Sequence, residues 1–475
     1  LILSSILFIL IGCGTEKEEN KIVIWTGMNT EKELKMMNEL GKEFEKNTGV
    51  KVDIIPIPFG DLQNKFQIAA PARQGPDLIT GPQDWVGIFA AANLVSPMET
   101  YVNKEEQKKF MPVSIEGATY ENKLYAIPLS FESVALIYNT EAWCKINDKT
   151  IKGLKGKITD EEIKNIESLK DQIFQESELS GKLKKLSFKE KEINIILDYV
   201  NKEIISKPPS TMEELIKEAK KFTLTKGEGD RKVYERYGFL GNLNDLFVVF
   251  PIFSGCGAYV FKDISDPTNL GLNNDGAKKA ARMIYNMRDY VEGGFIPEGI
   301  TGDRVLGTFI EGKTAMIING PWAINELDKV GRKYEVCPLP PFEDGQVPRP
   351  FVGILGIMLN RFAKNPEPAV KFMVFMNNKE NQVKIYKALN RIPARIEALE
   401  TPEVQGDKKI MGFYLSAKNG IPLPSLPVMS SVWDPMVQSL TLITTEKREN
   451  PDKFIEDQLN TAVKRIQNNI KRLLK

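Results

Sequence analysis

Between Lys21 and Asn93 short apolar runs alternate with amphipathic stretches, and that alternation restricts the architecture more than any other feature. Lys21 to Trp25 (KIVIW) reads as a buried strand. Thr30 to Thr48 repeats apolar residues at helical spacing, with Leu34, Met37, Leu40 and Phe44 on one face. Gly49 ends that helix, and Val50 to Ile57 (VKVDIIPI) is the next strand. A helix carrying Ile68, Ala69 and Ala70 follows. Gly75 to Thr80 (GPDLIT) then reads as turn and strand, and Trp85 to Asn93 as helix. Strand and helix in this order and spacing predict an α/β lobe with a mainly parallel sheet. At 475 residues the chain exceeds what one core usually serves, so two lobes are expected.

Leu124 to Asn139 (LYAIPLSFESVALIYN) has another texture. Apolar residues run almost unbroken through a proline and one carboxylate, Glu132. An extended segment of this kind can pass from one lobe to another. Glu132 sits among Phe131, Val134 and Leu136, where an ionised carboxylate needs a partner. Two readings are open: a ligand hydroxyl supplies the partner, or the carboxylate caps a helix or faces solvent.

From about 145 to 207 the chain is rich in Lys and Glu. Thr159 and Glu162 form a capping box ahead of Ile163, Ile166, Leu169 and Ile173. After Gly181 a second helical stretch carries Leu183, Leu186, Ile193, Leu197 and Val200. This predicts an αα-hairpin inserted into an α/β domain and ended by Pro208 and Pro209. Its charges form a solvated face. Its apolar stripe must pack on the partner helix, the lobe or another protein.

Thr211 to Phe222 and Asn273 to Val291 read as amphipathic helices, and the run from Phe247 to Phe261 as an apolar segment around Cys256. Ala315 to Ile318 is a short strand that stops at Asn319, Gly320 and Pro321, and Trp322 follows at once. Pro321 can open a helix there. Trp322 is thereby placed at the end of a strand, where α/β folds hold ligands. Pro350 to Asn360 (PFVGILGIMLN) is a second crossing-type strand, and the C-terminal third is helical.

Composition removes several classes of function. Hydrophobic residues make up 42% and charged residues 27%, an ordinary globular balance. A net charge of +1 gives no support to a nucleic-acid partner. There are no histidines, which removes Ser-His and Cys-His nucleophile pairs and His-based metal sites. Cys13, Cys144, Cys256 and Cys337 are far apart and show no zinc spacing. Cys256 reads as a buried small hydrophobe. No cofactor and no metal are expected.

Leu1 to Gly12 is apolar apart from two serines, the length of a signal h-region and too short to span a bilayer. No charged n-region or start Met precedes it, so truncation there is expected. Leu10 to Cys13 resembles the bacterial lipobox, whose cysteine is lipidated, and residues 14–20 read as a polar tether. Acyl chains on Cys13 would anchor the protein to a membrane without spanning it.

The order of segments resembles the bacterial extracellular solute-binding proteins of the maltose/maltodextrin-binding family. The matching stretches run from Lys21 to Val52, then GPDLITGPQDWVG, NKLYAIPLSFESVALIYN, EGKTAMIINGPWAINELD, RPFVGILGIMLN and LPVMSSVWDPM. They cover nearly the whole chain from Lys21 except 145–207. The resemblance implies a two-lobe periplasmic-binding-protein-like α/β fold of type II, here with a helical-hairpin insertion. The first lobe would hold residues 21–130 and 357–402, the second 131–356 and 403–475. It further implies a lipid-anchored, monomeric protein outside the cytoplasm that delivers sugar to an ABC-transporter permease.

A hexose has apolar C–H faces and a rim of hydroxyls, so it takes aromatic platforms and planar acids or amides. By the resemblance, Trp322 and Trp433 match tryptophans that stack under sugar rings. Asp84 matches the acid that accepts hydroxyls from the first lobe, and Glu132 the cleft carboxylate. Asp245 and Phe247 fall where an acid and an aromatic stand. Without the resemblance each tryptophan reads as core; Trp25 is left as core and Trp143 as structural. The sequence also departs from the family. Trp85 follows Asp84 where a basic residue is common, Asp434 follows Trp433 where some members have Tyr, and the aromatic expected near Gly81 is missing. Trp85 either replaces that stacking surface or is core of its helix. The acid–lysine pair of some members is absent from the loop after the first strand, where Asn29, Thr30 or Glu31 would serve instead. These departures keep oligosaccharide as the ligand class and loosen maltose; a polyol or glycerol-phosphate ester is an alternative. Two competing classes are a glycoside hydrolase, which also uses paired carboxylates, and a surface lipoprotein that docks other proteins through 145–207.

Overall fold

The computed structural model describes residues 20–227, 232–263 and 266–474. Its first sheet holds seven strands. Lys21–Thr26 runs parallel to Lys51–Pro56 on one side and to Leu78–Pro82 on the other. The helices Glu31–Thr48 and Phe59–Ala69 make the connections. The first of these starts at a Thr30–Glu33 capping box and stops at Gly49, whose φ of 73° a side chain would resist. It buries Met36, Met37, Leu40 and Phe44. Phe351–Leu359 enters antiparallel between Leu78–Pro82 and Ala126–Glu132. The sheet is therefore mixed, not mainly parallel, because that strand returns from the second lobe and runs against its neighbours.

The second sheet has the order Leu224–Lys226, Val233–Leu240, Thr314–Asn319, Ala135–Asn139 and Tyr334–Cys337. Only Val233–Leu240 and Thr314–Asn319 are parallel. The passage between the sheets is short. Ala126–Glu132 belongs to the first and Ala135–Asn139 to the second, with buried Ser133 and Val134 between them. The apolar run from Leu124 to Asn139 is thus a crossover strand pair. In the returning strand Gly353 already pairs with Glu132. The expected 356/357 lobe boundary therefore falls inside a first-sheet strand, and the return lies ahead of it. A third passage follows Ile392–Pro393 and leads to the helix Lys408–Lys418. That helix lies against Tyr334–Cys337, with Gly412 so close that a Cβ would meet the Val336 carbonyl at 2.2 Å.

The 145–207 segment is more than the expected hairpin. It holds four helices, Asp148–Leu154, Asp160–Glu167, Glu176–Lys185 and Glu190–Tyr199. A three-stranded antiparallel sheet of Asn201–Glu203, Trp143–Lys145 and Ile173–Gln175 closes it. The two long helices break where Asp171 and Ser187 take φ of 62° and 69° and turn the chain. The apolar stripe packs on itself: Cys144, Ile166, Phe174, Leu183 and Ile196 belong to a core separate from that of the lobes. Trp143 is structural, its Nε1 donating to the Gly312 carbonyl at 3.0 Å. Trp25 is core. Cys256 is half-buried, not fully buried, and it, Cys144 and Cys337 are free thiols. Cys13 lies outside the described residues. Among the described residues no helix is long and apolar enough to cross a membrane.

Candidate functional site

The strand Thr314–Asn319 is buried along its length. At its end Asn319 Oδ1 accepts the Gly320 N–H at 2.8 Å, and Pro321–Ala323 forms a single 3-10 turn before the helix Ile324–Lys329. Pro321 and Ala323 are buried, yet Trp322 between them is 46% exposed. The indole folds back over Gly320, where a Cβ would stand 2.2 Å from its ring. Glycine there is what lets the backbone carry the ring as a shelf.

Rings from distant segments gather beside this shelf. Trp322 and Phe247 have centroids 6.4 Å apart, Phe247 and Phe351 6.0 Å, and Phe351 and Trp433 6.2 Å. Phe351 in turn stacks on Phe250 at 3.6 Å. Sequence reading named Trp322, Phe247 and Trp433 but missed Phe351, the buried ring that joins them. Two residues on, a Cβ on Gly353 would lie 3.9 Å from the Phe247 ring, and Gly353 pairs with Glu132. That register brings the crossover carboxylate to the aromatic group.

Glu132 does not wait for a ligand to be paired. It accepts a hydrogen bond from Arg391 Nη1, while Arg391 Nη2 reaches Glu33 at 3.0 Å. Burial works against the guanidinium charge, but Glu132 and Glu33 outweigh it and hold the Arg391 pKa above its ordinary value. Neither Arg391 nor Glu33 could be found from spacing, since they stand 259 residues from Glu132 and at a helix cap respectively. The three line a cavity of about 200 Å³ together with Phe59, Thr80 and Ile354.

Most of the remaining positions have local partners. Asp84, in the first turn of Gln83–Ala91, has its carboxyl pushed above the usual range by burial, opposed by its own and the Trp85 backbone N–H groups. Asp245 caps Leu246–Gly255 by accepting the Phe247 N–H at 2.9 Å, and burial pushes its carboxyl up too. Glu132 itself ends a strand and pairs with Arg391, so it does not cap a helix. Asn29 is exposed and donates to the Ile57 carbonyl. Asp434 is exposed. Trp85 is only 5% exposed, so it is core and offers the cavity no face of its own. It lies over Gly81, where a Cβ would come within 2.4 Å of the ring, and stacks on Phe59 at 5.1 Å and 22°.

The lobes also meet at the mouth. Asn325, one turn past Trp322, accepts from Lys32 Nζ at 3.2 Å and Asn390 Nδ2 at 2.9 Å, and donates to the Leu389 carbonyl at 3.4 Å. Among the described residues no cluster of Cys, Asp and Glu could hold a metal ion. The arrangement suits a neutral, hydroxyl-rich ligand with apolar faces.

Two models of the bacterial extracellular solute-binding proteins match the chain, over residues 29–163 and 156–412. The galactooligosaccharide-binding protein of Bacillus subtilis is 24% identical over 95% of this chain and 93% of its own. The maltotriose-binding protein of Pyrococcus abyssi is 27% identical over 89% and 76%. Among solved structures, a cyclo/maltodextrin-binding protein complexed with maltotetraose superposes with a TM-score of 0.72 at 28% identity, covering 96% of this chain and 99% of that one. The Thermus thermophilus maltotriose-binding protein with maltotriose gives 0.68 at 28%, covering 93% and 99%. With its two sheets, crossover strands and interlobe ring cluster, the chain belongs to the bacterial extracellular solute-binding proteins and has their two-lobe fold.

Proposed function

We propose that the protein captures an oligosaccharide of the maltodextrin or a related type between its lobes and delivers it to the permease of an ABC importer, without chemistry on the sugar. The observation that carries this is the exposed Trp322 ring beside Phe247, Phe351 and Trp433, within one strand register of Glu132. Rings of this kind stack on sugar C–H faces, and carboxylates accept hydroxyls. The relatives' sugars support the ligand class. A ligand that touches both lobes favours their closed arrangement, since that state offers more contacts. Arg391 holds the Glu132 carboxylate in place, so its oxygens are set to accept hydrogen bonds from sugar hydroxyls. The protein works outside the cytoplasm, as its family does, held to the membrane through lipidated Cys13.

A thermal-shift screen against maltose, maltotriose, trehalose and galacto-oligosaccharides tests this, because a ligand specific for the folded form raises its melting point. One or more of these sugars is expected to raise it, with the sugar recovered intact. A flat screen contradicts the ligand class, and release of new reducing ends contradicts the absence of chemistry.

A further inference from the structure

We infer that Phe59, supported from beneath by Trp85, is a sugar-stacking platform of the first lobe, and that Glu33, Arg391 and Glu132 beside it read the hydroxyls of the same sugar unit. This rests on the proposed function and names a subsite within it.

The helix Phe59–Ala69 turns Leu62 and Phe66 into the core, yet its first residue is 55% exposed. An exposed phenylalanine alone would mean little. Here the ring is not loose: it stacks on buried Trp85, which in turn lies over Gly81. Any side chain at position 81 would collide with Trp85. Gly81 therefore gives up its own side chain and lets a two-ring stack, Trp85 then Phe59, rise from the strand end instead. The outer ring lines the cavity that also holds Glu33, Glu132 and Arg391. The apolar side chains of Met28, Ile354 and Leu355 also line that cavity.

An aromatic face set beside charged groups is what a pyranose ring needs: C–H bonds on one side and a rim of hydroxyls. A guanidinium has five N–H donors. Glu132 and Glu33 engage one nitrogen each and fix its plane, which leaves other donors for sugar oxygens. Two carboxylates against one guanidinium give the rim an acidic balance. The subsite therefore takes an uncharged hexose unit and disfavours one bearing a carboxylate or phosphate.

The test is calorimetry of the full chain with maltotriose and with galactotriose, each against wild type, Phe59→Ala, Phe59→Tyr and Arg391→Gln, with melting points as a check on folding. For whichever sugar wild type binds, Phe59→Ala is expected to weaken affinity roughly tenfold. Phe59→Tyr, which keeps the ring face, stays within about threefold of wild type. Arg391→Gln weakens binding of the neutral sugar as well, since both carboxylates lose their partner. Unchanged affinity in Phe59→Ala, with wild-type binding intact, overturns the platform alone. Equal loss in Phe59→Ala and Phe59→Tyr also overturns it, because the face would then not be what matters. If wild type binds neither sugar and the wider panel is flat, the proposed function falls and takes the subsite with it.

Discussion

Trp322→Ala separates a ligand platform from a packing residue. A tryptophan offers roughly 250 Å² of surface, and at 46% exposure roughly 115 Å² of it is open. A sugar ring that covers half of that area removes roughly 60 Å² from water, worth about 1.5 kcal/mol at ~25 cal/mol per Å². The C–H face of the sugar loses a similar area, so the total lies at about 1–3 kcal/mol. That is roughly a 5- to 150-fold rise in Kd. Stability should suffer less, because the ring rests on Gly320 and the neighbouring Phe247 while its partners Pro321 and Ala323 stay buried. Calorimetry with maltotriose gives the first number, and a thermal melt without ligand gives the second. Unchanged affinity refutes the reasoning. So does a loss of binding that only tracks a collapse in melting point.

Three more outcomes are expected. Asn325→Ala removes three interlobe hydrogen bonds, one of them from the Lys32 ammonium; the unliganded protein should open, seen as a larger radius of gyration by X-ray scattering, and sugar affinity should fall by up to roughly 150-fold, for three bonds at about 1 kcal/mol each. An unchanged radius contradicts this. Asp84→Asn should raise the melting point at pH 7. The folded carboxyl, raised by burial above its value of 3.8, binds its proton more tightly than the unfolded one. That stabilisation is therefore present below about pH 4 and lost as pH rises through the raised value, so the gain in the variant should vanish near pH 3.5. An equal change at both pH values contradicts it. Lys145 and Asn201 are cross-strand partners, so residues 146–200 can be replaced by a short turn. With its separate core the insertion should come away without change in sugar affinity, and loss of binding would make it part of the site.

What was legible in the sequence follows from range. The strand–helix alternation, the capping box at Thr159 and the crossover at Leu124 to Asn139 are local patterns, and each decides its element. Trp322 stood out because a large ring directly after Gly and Pro has few structural uses. Arg391 was invisible because its meaning lies in two carboxylates that only the fold brings near. Phe59 needed the knowledge that Trp85 occupies the space over Gly81. The helix Leu246–Gly255 is apolar all round, so periodicity could not tell it from a strand. The insertion misled for a related reason: leucine spacing reports a buried stripe, not where Asp171 and Ser187 turn the chain.

The central claim is that this cleft binds an oligosaccharide and leaves it intact. Calorimetric titration of the wild-type chain with maltotriose and galactotriose, followed by chromatography of the recovered sugar, tests it most directly. Saturable heat at one site is expected for at least one of them, with all sugar returned unchanged. No heat with either, or conversion to shorter sugars, would contradict it.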